Sequence, residues 1–467
     1  MEENKMGVME IKKLIMTMSL PIMISMLVQA LYNIVDSMFV ARVSDNALAA
    51  VSLCYPIQMI IVAVACGTAV GLNALLSRYL GQKKPKEANQ VALHGILLAI
   101  VNWLIFAIIG IFFSEAFLRL FSTDQEIVAM GISYMKICTI FSFGVFMQIT
   151  YERIMQSTGN TVYNMIIQGV GALVNIMLDP IFIFGMLGLP AMGVTGAAIA
   201  TVIGQIVAML LGIIITQTKI KEVQIHLREF HLELRMIKDM YRIAIPAILM
   251  QSIMSFMTVF MNMILVTFSE LAVSAFSIYF KLQQFVFMAV NGMNNALIPI
   301  ISYNFGAKKK QRILDSIHFS LIVACVIMIA GTIIFQCFPQ QLMYLFDANE
   351  EMMNIGVPAL RIISLSFIFA GISLVLSAVF QSVDHANKSL MITLLRQMVL
   401  LLPIVYLLAN QFGLNALWWA FPITEAAVSI LAYIYLKIVK AKTIMKISQK
   451  SEAKIEMAFA FFTFCTK

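Results

Sequence analysis

Residues 67–84, GTAVGLNALLSRYLGQKK, return at 292–309 as GMNNALIPIISYNFGAKK, a constant offset of 225 positions (292 − 67 = 225). Gly67 pairs with Gly292, Ser77 with Ser302, Gly81 with Gly306, and Lys83-Lys84 with Lys308-Lys309. The register extends outward almost without gaps. Pro21 meets Pro246, Phe121 meets Phe346, Gly131 meets Gly356, Lys136 meets Arg361, Gln156-Ser157 meets Gln381-Ser382, and Gly188-Leu189 meets Gly413-Leu414. In so apolar a chain, a duplication of this size implies a two-lobed membrane transporter whose halves rock around a central path.

The chain has 467 residues, 61% hydrophobic and 12% charged, with a mean hydropathy of +0.91. That is too little polar surface for a soluble globule and ample for a lipid-facing bundle. A membrane helix needs about 20 apolar residues to cross about 30 Å of hydrocarbon. Twelve such stretches stand near residues 14–40, 47–77, 90–113, 128–152, 161–186, 191–217, 241–268, 272–303, 316–338, 354–380, 389–409 and 415–437. Barrel-type alternation is absent, so helices must satisfy the backbone. The expected fold is an all-α polytopic membrane protein of twelve transmembrane helices in two six-helix bundles. Six spans per repeat is an even number, so the repeats run parallel, related by a pseudo-twofold axis along the membrane normal. The expected organisation is an N-terminal lobe over 1–217, a cytoplasmic linker over 218–240, a C-terminal lobe over 241–440 and a cytoplasmic tail over 441–467.

The net charge of +8 is explained by orientation. Positives cluster at Lys83, Lys84 and Lys86, at Lys219, Lys221, Arg228, Arg235 and Lys238, at Lys308, Lys309, Lys310 and Arg312, and from Lys437 to Lys454, while the alternate loops carry mainly Asp and Glu. The positive-inside rule puts both termini and the basic loops in the cytoplasm of a multi-pass plasma (inner) membrane protein. The basic runs lack interleaved aromatics, which argues against a nucleic-acid partner. Six cysteines show neither paired nor metal-type spacing and read as packing residues. The apolar tail IEMAFAFFTFCTK is too short to span.

Chemistry is expected where ionisable residues interrupt the spans, because a charge in the bilayer is tolerated mainly in an interior cavity. Asp36, in ALYNIVDSMFVARV, has Asn33 three residues before it, and Asp179, in GALVNIMLDPIFIFG, has Asn175 four residues before it. Each acid thus has an amide near its own helix face. Pro180 removes a backbone donor beside Asp179. At the repeat offset these acids become Met261 and Ile404, so the first lobe alone owns the pair. One reading makes them structural, with Asp36 reaching water or pairing with Arg42. The sharper reading makes them a shared proton or cation site, with Glu152 in QITYERIMQSTGN as a third acid facing the cavity. In the second lobe, Lys281 and Glu425 are expected to pair, since two buried opposite charges cost less than one. Lys136 and Arg361 are expected to snorkel. Gly67-x-x-x-Gly71 and GVTGAAIAT are expected to permit close helix packing.

Taken together, PIMISMLVQALYNIVDSMFVARV, NIMLDPIFIFGMLGLPAMGVTGAAIATVIGQ, ERIMQSTGN and the duplication resemble the multidrug and toxic compound extrusion (MATE) family, nearest its bacterial MepA-like or DinF-like branch. The resemblance implies two six-helix bundles around a cleft and cation-driven efflux of lipophilic organic cations. It implies a coupling site at Asp36, Asn175, Asp179, Tyr134 and Thr201, with Pro21 as the hinge proline; the residue pattern itself adds Asn33 to the coupling site and sets Asp36, Glu152 and Asp179 facing the substrate. The family's fourth-span asparagine is replaced by Glu152, so proton and sodium both stand as the coupling ion; no metal site is expected beyond Asp36 and Asp179, where sodium would sit if it is that ion. The NorM-like branch uses acids in spans seven and ten, where this chain offers only Gln251, Met254, Ser255 and an uncharged run. No P-loop, HExxH or catalytic triad occurs, so neither direct ATP drive nor an enzyme is expected, and no cofactor. The expected partners are small lipophilic cations and membrane lipids, with no obligate protein partner. A lipid-linked saccharide flippase is the alternative; it would need several cleft Arg or Lys, where the spans offer mainly Lys281.

Overall fold

A computed structural model describes residues 4–445; the tail from 446 onward, with Lys450, Lys454 and Cys465, lies outside the described residues. The described residues form helices and no strand. In chain order the main helices are α1 (Ile11–Ala41), α2 (Asp45–Gly81), α3 (Pro85–Phe121), α4 (Gln125–Ile140), α5 (Phe143–Ser157), α6 (Thr161–Phe184) and α7 (Val194–Lys219). The second half follows with α8 (Leu234–Leu265), α9 (Glu270–Gly306), α10 (Lys310–Cys337), α11 (Glu350–Ser364), α12 (Phe367–Ser382), α13 (Ala386–Leu394), α14 (Leu401–Phe412) and α15 (Ala420–Val439). Among the described residues, ten helical stretches are each long and apolar enough to cross a membrane, and the two bent pairs α4–α5 and α11–α12 bring the count to twelve.

The repeat seen in the sequence is written into the element bounds. α2 begins at Asp45 and ends at Gly81, and α9 begins at Glu270 and ends at Gly306, both at an offset of 225. Left-handed backbone recurs in the same register, at Lys83 and Lys308 (φ 58° and 59°), Gly159 and Asp384 (89° and 69°), and Gly188 and Gly413 (84° and 78°). The loops have kept their conformation even where the residue type has changed. Gly159 tolerates positive φ freely, and Asp384 is one of the few other types that does.

Both halves also break the same span. α4 and α5 meet at 41°, and α11 and α12 at 51°. Each break carries a serine whose hydroxyl donates to the carbonyl three residues back, Ser142 to Thr139 at 2.8 Å and Ser366 to Ile363 at 2.6 Å. Such back-bonding competes with the helix ladder and favours a bend.

The chain divides into two compact units. One comprises Leu20–Leu76 and Lys84–Ile248; the other comprises the residues up to Ser19, Ser77–Lys83 and the chain from Leu249 on. α1 passes from one unit to the other between Ser19 and Leu20, next to Pro21. Pro21 cannot donate to the ladder, and its own carbonyl accepts from the Ser25 hydroxyl at 2.8 Å.

In the first-half unit the small residues do what the spacing predicts. A Cβ at Gly71 would meet the Met240 carbonyl at 2.5 Å, and one at Gly67 the Ile248 amide at 2.8 Å. Gly196, in GVTGAAIAT, likewise packs on the Phe182–Ile183 backbone. The stretch read as a linker is irregular only to Glu233, since α8 begins at Leu234. It is pinned to α3: Gln90 Nε2 donates to the Glu229 carbonyl at 2.5 Å, the Glu233 amide donates to His94 Nε2 at 2.9 Å, and the Phe230 ring lies 5.1 Å from the His94 ring. His94, fully buried, is a structural anchor that the sequence did not single out.

Candidate functional site

The polar centre of the first-half unit is built on α6. Asp179 is fully buried and Asn175 is 3% exposed. Asn175 stands one helical turn before Asp179, so its amide lies over the carboxylate. Its Nδ2 donates to Asp179 Oδ1 at 3.4 Å and to Thr201 Oγ1 on α7 at 3.4 Å. Both bonds are long for N–H···O, so the amide is shared loosely between its two acceptors. Asp179 Oδ2 and Asn175 Oδ1 have no partner among the described residues. Leaving such buried acceptors unmatched is costly, and a proton or small cation is the species that would match them.

Asp36, on α1, is half-buried and has an unpartnered Oδ1. Its carboxylate lies within electrostatic range of Asp179. It makes no ion pair with Arg42 among the described residues. Asn33 is exposed on α1 and makes no side-chain hydrogen bond to either acid among the described residues; its backbone carbonyl accepts from Ser37. Tyr32, four residues before Asp36 on α1, lies within electrostatic range of Asp36, Asp179 and Glu152. A spacing of four, the one that marked Asn175, was the available signal.

Tyr134 is 2% exposed in a core that also contains Cys54, Leu118 and Ile183. Its hydroxyl accepts from Gln58 Nε2 at 3.0 Å, and Asp36 lies within electrostatic range. It therefore borders the acids and has no direct hydrogen bond to Asp179 or Asn175. Glu152, on α5, is 4% exposed and has both oxygens engaged, by Gln148 Nε2 and by Gln168 Nε2, each at 3.0 Å. Gln148, one turn earlier on the same helix, and Gln168 on α6 are site residues that the sequence reading missed.

In the second half, the expected Lys281–Glu425 pair is not formed. Glu425 pairs with Arg396, Nε to Oε1 at 2.5 Å, and Lys281 sits exposed with its ammonium 5.8 Å from the centre of the Phe346 ring. Arg396 lies on a π-helical turn, Leu395–Val399, between α13 and α14.

A duplicated all-helical chain with ten to twelve spans and a buried acid–amide–hydroxyl centre falls in the class of polytopic membrane transporters. The MatE family model matches it twice, over residues 21–181 and 246–407, and the two matches begin 225 residues apart. The chain belongs to the MatE family, and is a multi-pass membrane transport protein rather than an enzyme. Multidrug export protein MepA of Staphylococcus aureus (strain bovine RF122 / ET3-1) is 25% identical over 441 residues, 94% of this chain and 96% of the relative. An outward-facing multidrug resistance MATE family transporter of the MOP superfamily matches with a TM-score of 0.88 at 26% identity, covering 96% of this chain and 99% of its own. A MOP superfamily transporter from Pyrococcus furiosus, described as having a binding pocket of reverse polarity that suggests a different function, matches with a TM-score of 0.86 at 26% identity over 96% and 98% of the two chains.

Proposed function

We propose that the protein is a secondary active exporter of lipophilic organic cations, driven by inward movement of protons or sodium ions across the plasma membrane, with both termini cytoplasmic. The observation that carries this is the Asp179 centre: a fully buried carboxylate with a free oxygen, a loosely held amide and hydroxyl beside it, and a second carboxylate in electrostatic range. Two neighbouring acids attract one cation strongly and disfavour standing empty together. An organic cation and the coupling ion therefore compete for Asp36 and Asp179, and occupation by one discharges the other. Direction follows if the inward- and outward-open states differ in their affinity for each cation, since equal affinity would shift nothing. The MepA relative is a multidrug exporter by name, in keeping with this reading.

Glu152 has a separate role. Two amide donors hold its carboxyl group in a fixed place, so that in its ionised form it adds negative potential beside the two aspartates. Glu152→Gln is expected to weaken binding of a cationic dye such as ethidium by several-fold, on the scale of about 1 kcal/mol for a partly screened charge, while a neutral compound of similar size is unaffected. Equal loss of both, measured by dye fluorescence on purified protein, would make Glu152 a structural residue. For the function itself, the test is gradient-driven dye efflux from proteoliposomes, with proton and sodium gradients imposed separately.

A further inference from the structure

The first-half centre leaves the Arg396–Glu425 pair unused. Both side chains are about nine-tenths buried, at 10% and 11% exposure, and they face a recess of about 460 Å³, counted to its open mouth. Its apolar wall includes Met254, Met257, Phe276, Phe280 and Phe421. The enclosed end, about 30 Å³, takes only one or two water-sized groups while Arg396 and Glu425 touch, so a larger charged head enters by parting the pair and leaves the body of the ligand at the mouth.

Three further observations make this a built site. Gln397 Oε1, Thr424 Oγ1 and Glu425 Oε2 line the recess, are buried, and have no hydrogen-bond partner among the described residues. Arg396 meets Glu425 through Nε alone, and its terminal N–H groups have no other hydrogen bond there. The recess also sits where Ser366 breaks the α11–α12 span and where the π-helical turn interrupts α13–α14, the kind of irregularity that collects at functional sites. The first half does without all of this: at the repeat offset Arg396 and Glu425 become Gly171 and Ala200. A buried ion pair contributes little to stability that apolar packing would not, so packing alone does not account for the charges.

The chemistry selects a zwitterion. A lone organic cation would meet the neighbouring guanidinium charge. A lone anion would take Arg396 but leave Glu425 buried and unpaired, which is costly. A ligand with a carboxylate and an ammonium close together satisfies both: its carboxylate takes the planar guanidinium fork, and its ammonium donates to Glu425, with Gln397 Oε1 and Thr424 Oγ1 as further acceptors. An apolar or aromatic body then lies against the Met and Phe wall. We propose that this recess is a binding site for aromatic zwitterions of the amino-acid type, inserting their paired charges between Arg396 and Glu425. Its use in export rests on the transporter reading above; its binding does not.

The test is equilibrium binding of radiolabelled tryptophan to the detergent-solubilised full chain, against tryptamine, which lacks the carboxylate, and indole-3-propionate, which lacks the ammonium. Tryptophan is expected to bind about tenfold or more tighter than either, each missing partner being worth at least about 1.4 kcal/mol. Arg396→Gln should abolish the preference for tryptophan over tryptamine. Glu425→Gln should remove the preference over indole-3-propionate and raise that anion's affinity, because Arg396 loses its competitor. A merely structural pair would not split the probes this way. If Arg396→Gln does not fold, Arg396→Lys carries the test, since it keeps the charge and loses the fork; a drop in the tryptophan preference supports the site. No tryptophan binding by the wild type, or probe preferences unchanged in every folded variant, overturns the proposal. Ethidium efflux in the same preparation reports separately on the export reading.

Discussion

Asp179→Asn is expected to leave a folded, inserted protein that no longer couples drug movement to an ion gradient. The amide matches the carboxylate in size and can still accept from Asn175, so the contact at 3.4 Å has a substitute. It cannot ionise, so the occupancy that distinguishes the loaded state from the empty one is lost. Linkage between two ligands is typically worth about 1–3 kcal/mol, a change of about 5–150-fold in affinity. That whole dependence of drug affinity on pH or sodium should vanish in the variant. Asp36→Asn should act the same way, because the two carboxylates lie within range of each other. Glu425→Gln should leave the ion dependence in place. Drug titrations across pH and sodium concentration on solubilised protein check all three; persistence of wild-type ion dependence in Asp179→Asn would remove Asp179 from the coupling site.

The second large effect is structural and comes from a glycine pair at the repeat register. Gly81 ends α2 and Gly306 ends α9, and both lie within the second-half unit. A Cβ on Gly81 would press into the Tyr303 carbonyl, and one on Gly306 into that of Arg78, with Arg78 Cα at 3.1 Å. The obstacle in each case is backbone, which cannot rotate away as a side chain can. Overpacking typically costs about 1–3 kcal/mol, and here both sides of the contact are main chain. Gly306→Leu is therefore expected to lower the melting temperature clearly and reduce the yield of monodisperse protein, whereas Gly169→Leu, at a glycine with open space around its Cβ position, should do neither. Equal melting temperatures for the two variants would contradict the packing assigned to α2 and α9.

The sequence revealed most where one physical rule dominated. Hydrocarbon thickness and backbone satisfaction leave little choice but helices, and a fixed register carries from residue identities into helix ends, so α2 and α9 repeat to the residue. Asp179 and Asn175 were legible because a charge in an apolar run is expensive and a spacing of four sets the amide over the acid, whereas Thr201 came only from the family resemblance. What escaped involved local departures from the regular helix. Ser142 and Ser366 break spans whose hydropathy runs on unbroken. Glu425 pairs with Arg396, which sits on a π-helical turn, and Lys281, nearer the middle of an apolar run, was matched to it wrongly. Tyr32 went unread because only amide neighbours of the acids were sought, although a spacing of four sets it on the same helix face as Asp36. Gln148 and Gln168 were overlooked because a glutamine in a span carries no charge to draw notice.

The central claim, a carboxylate-coupled exporter, is tested most directly by efflux of a cationic dye from proteoliposomes holding either wild-type protein or Asp179→Asn, under a proton gradient and, separately, a sodium gradient. The expected result is export by the wild type that one of the two gradients drives and its collapse abolishes, with the variant at the level of empty liposomes under both. Wild-type export indifferent to both gradients, or export by Asp179→Asn at the wild-type rate, would contradict it.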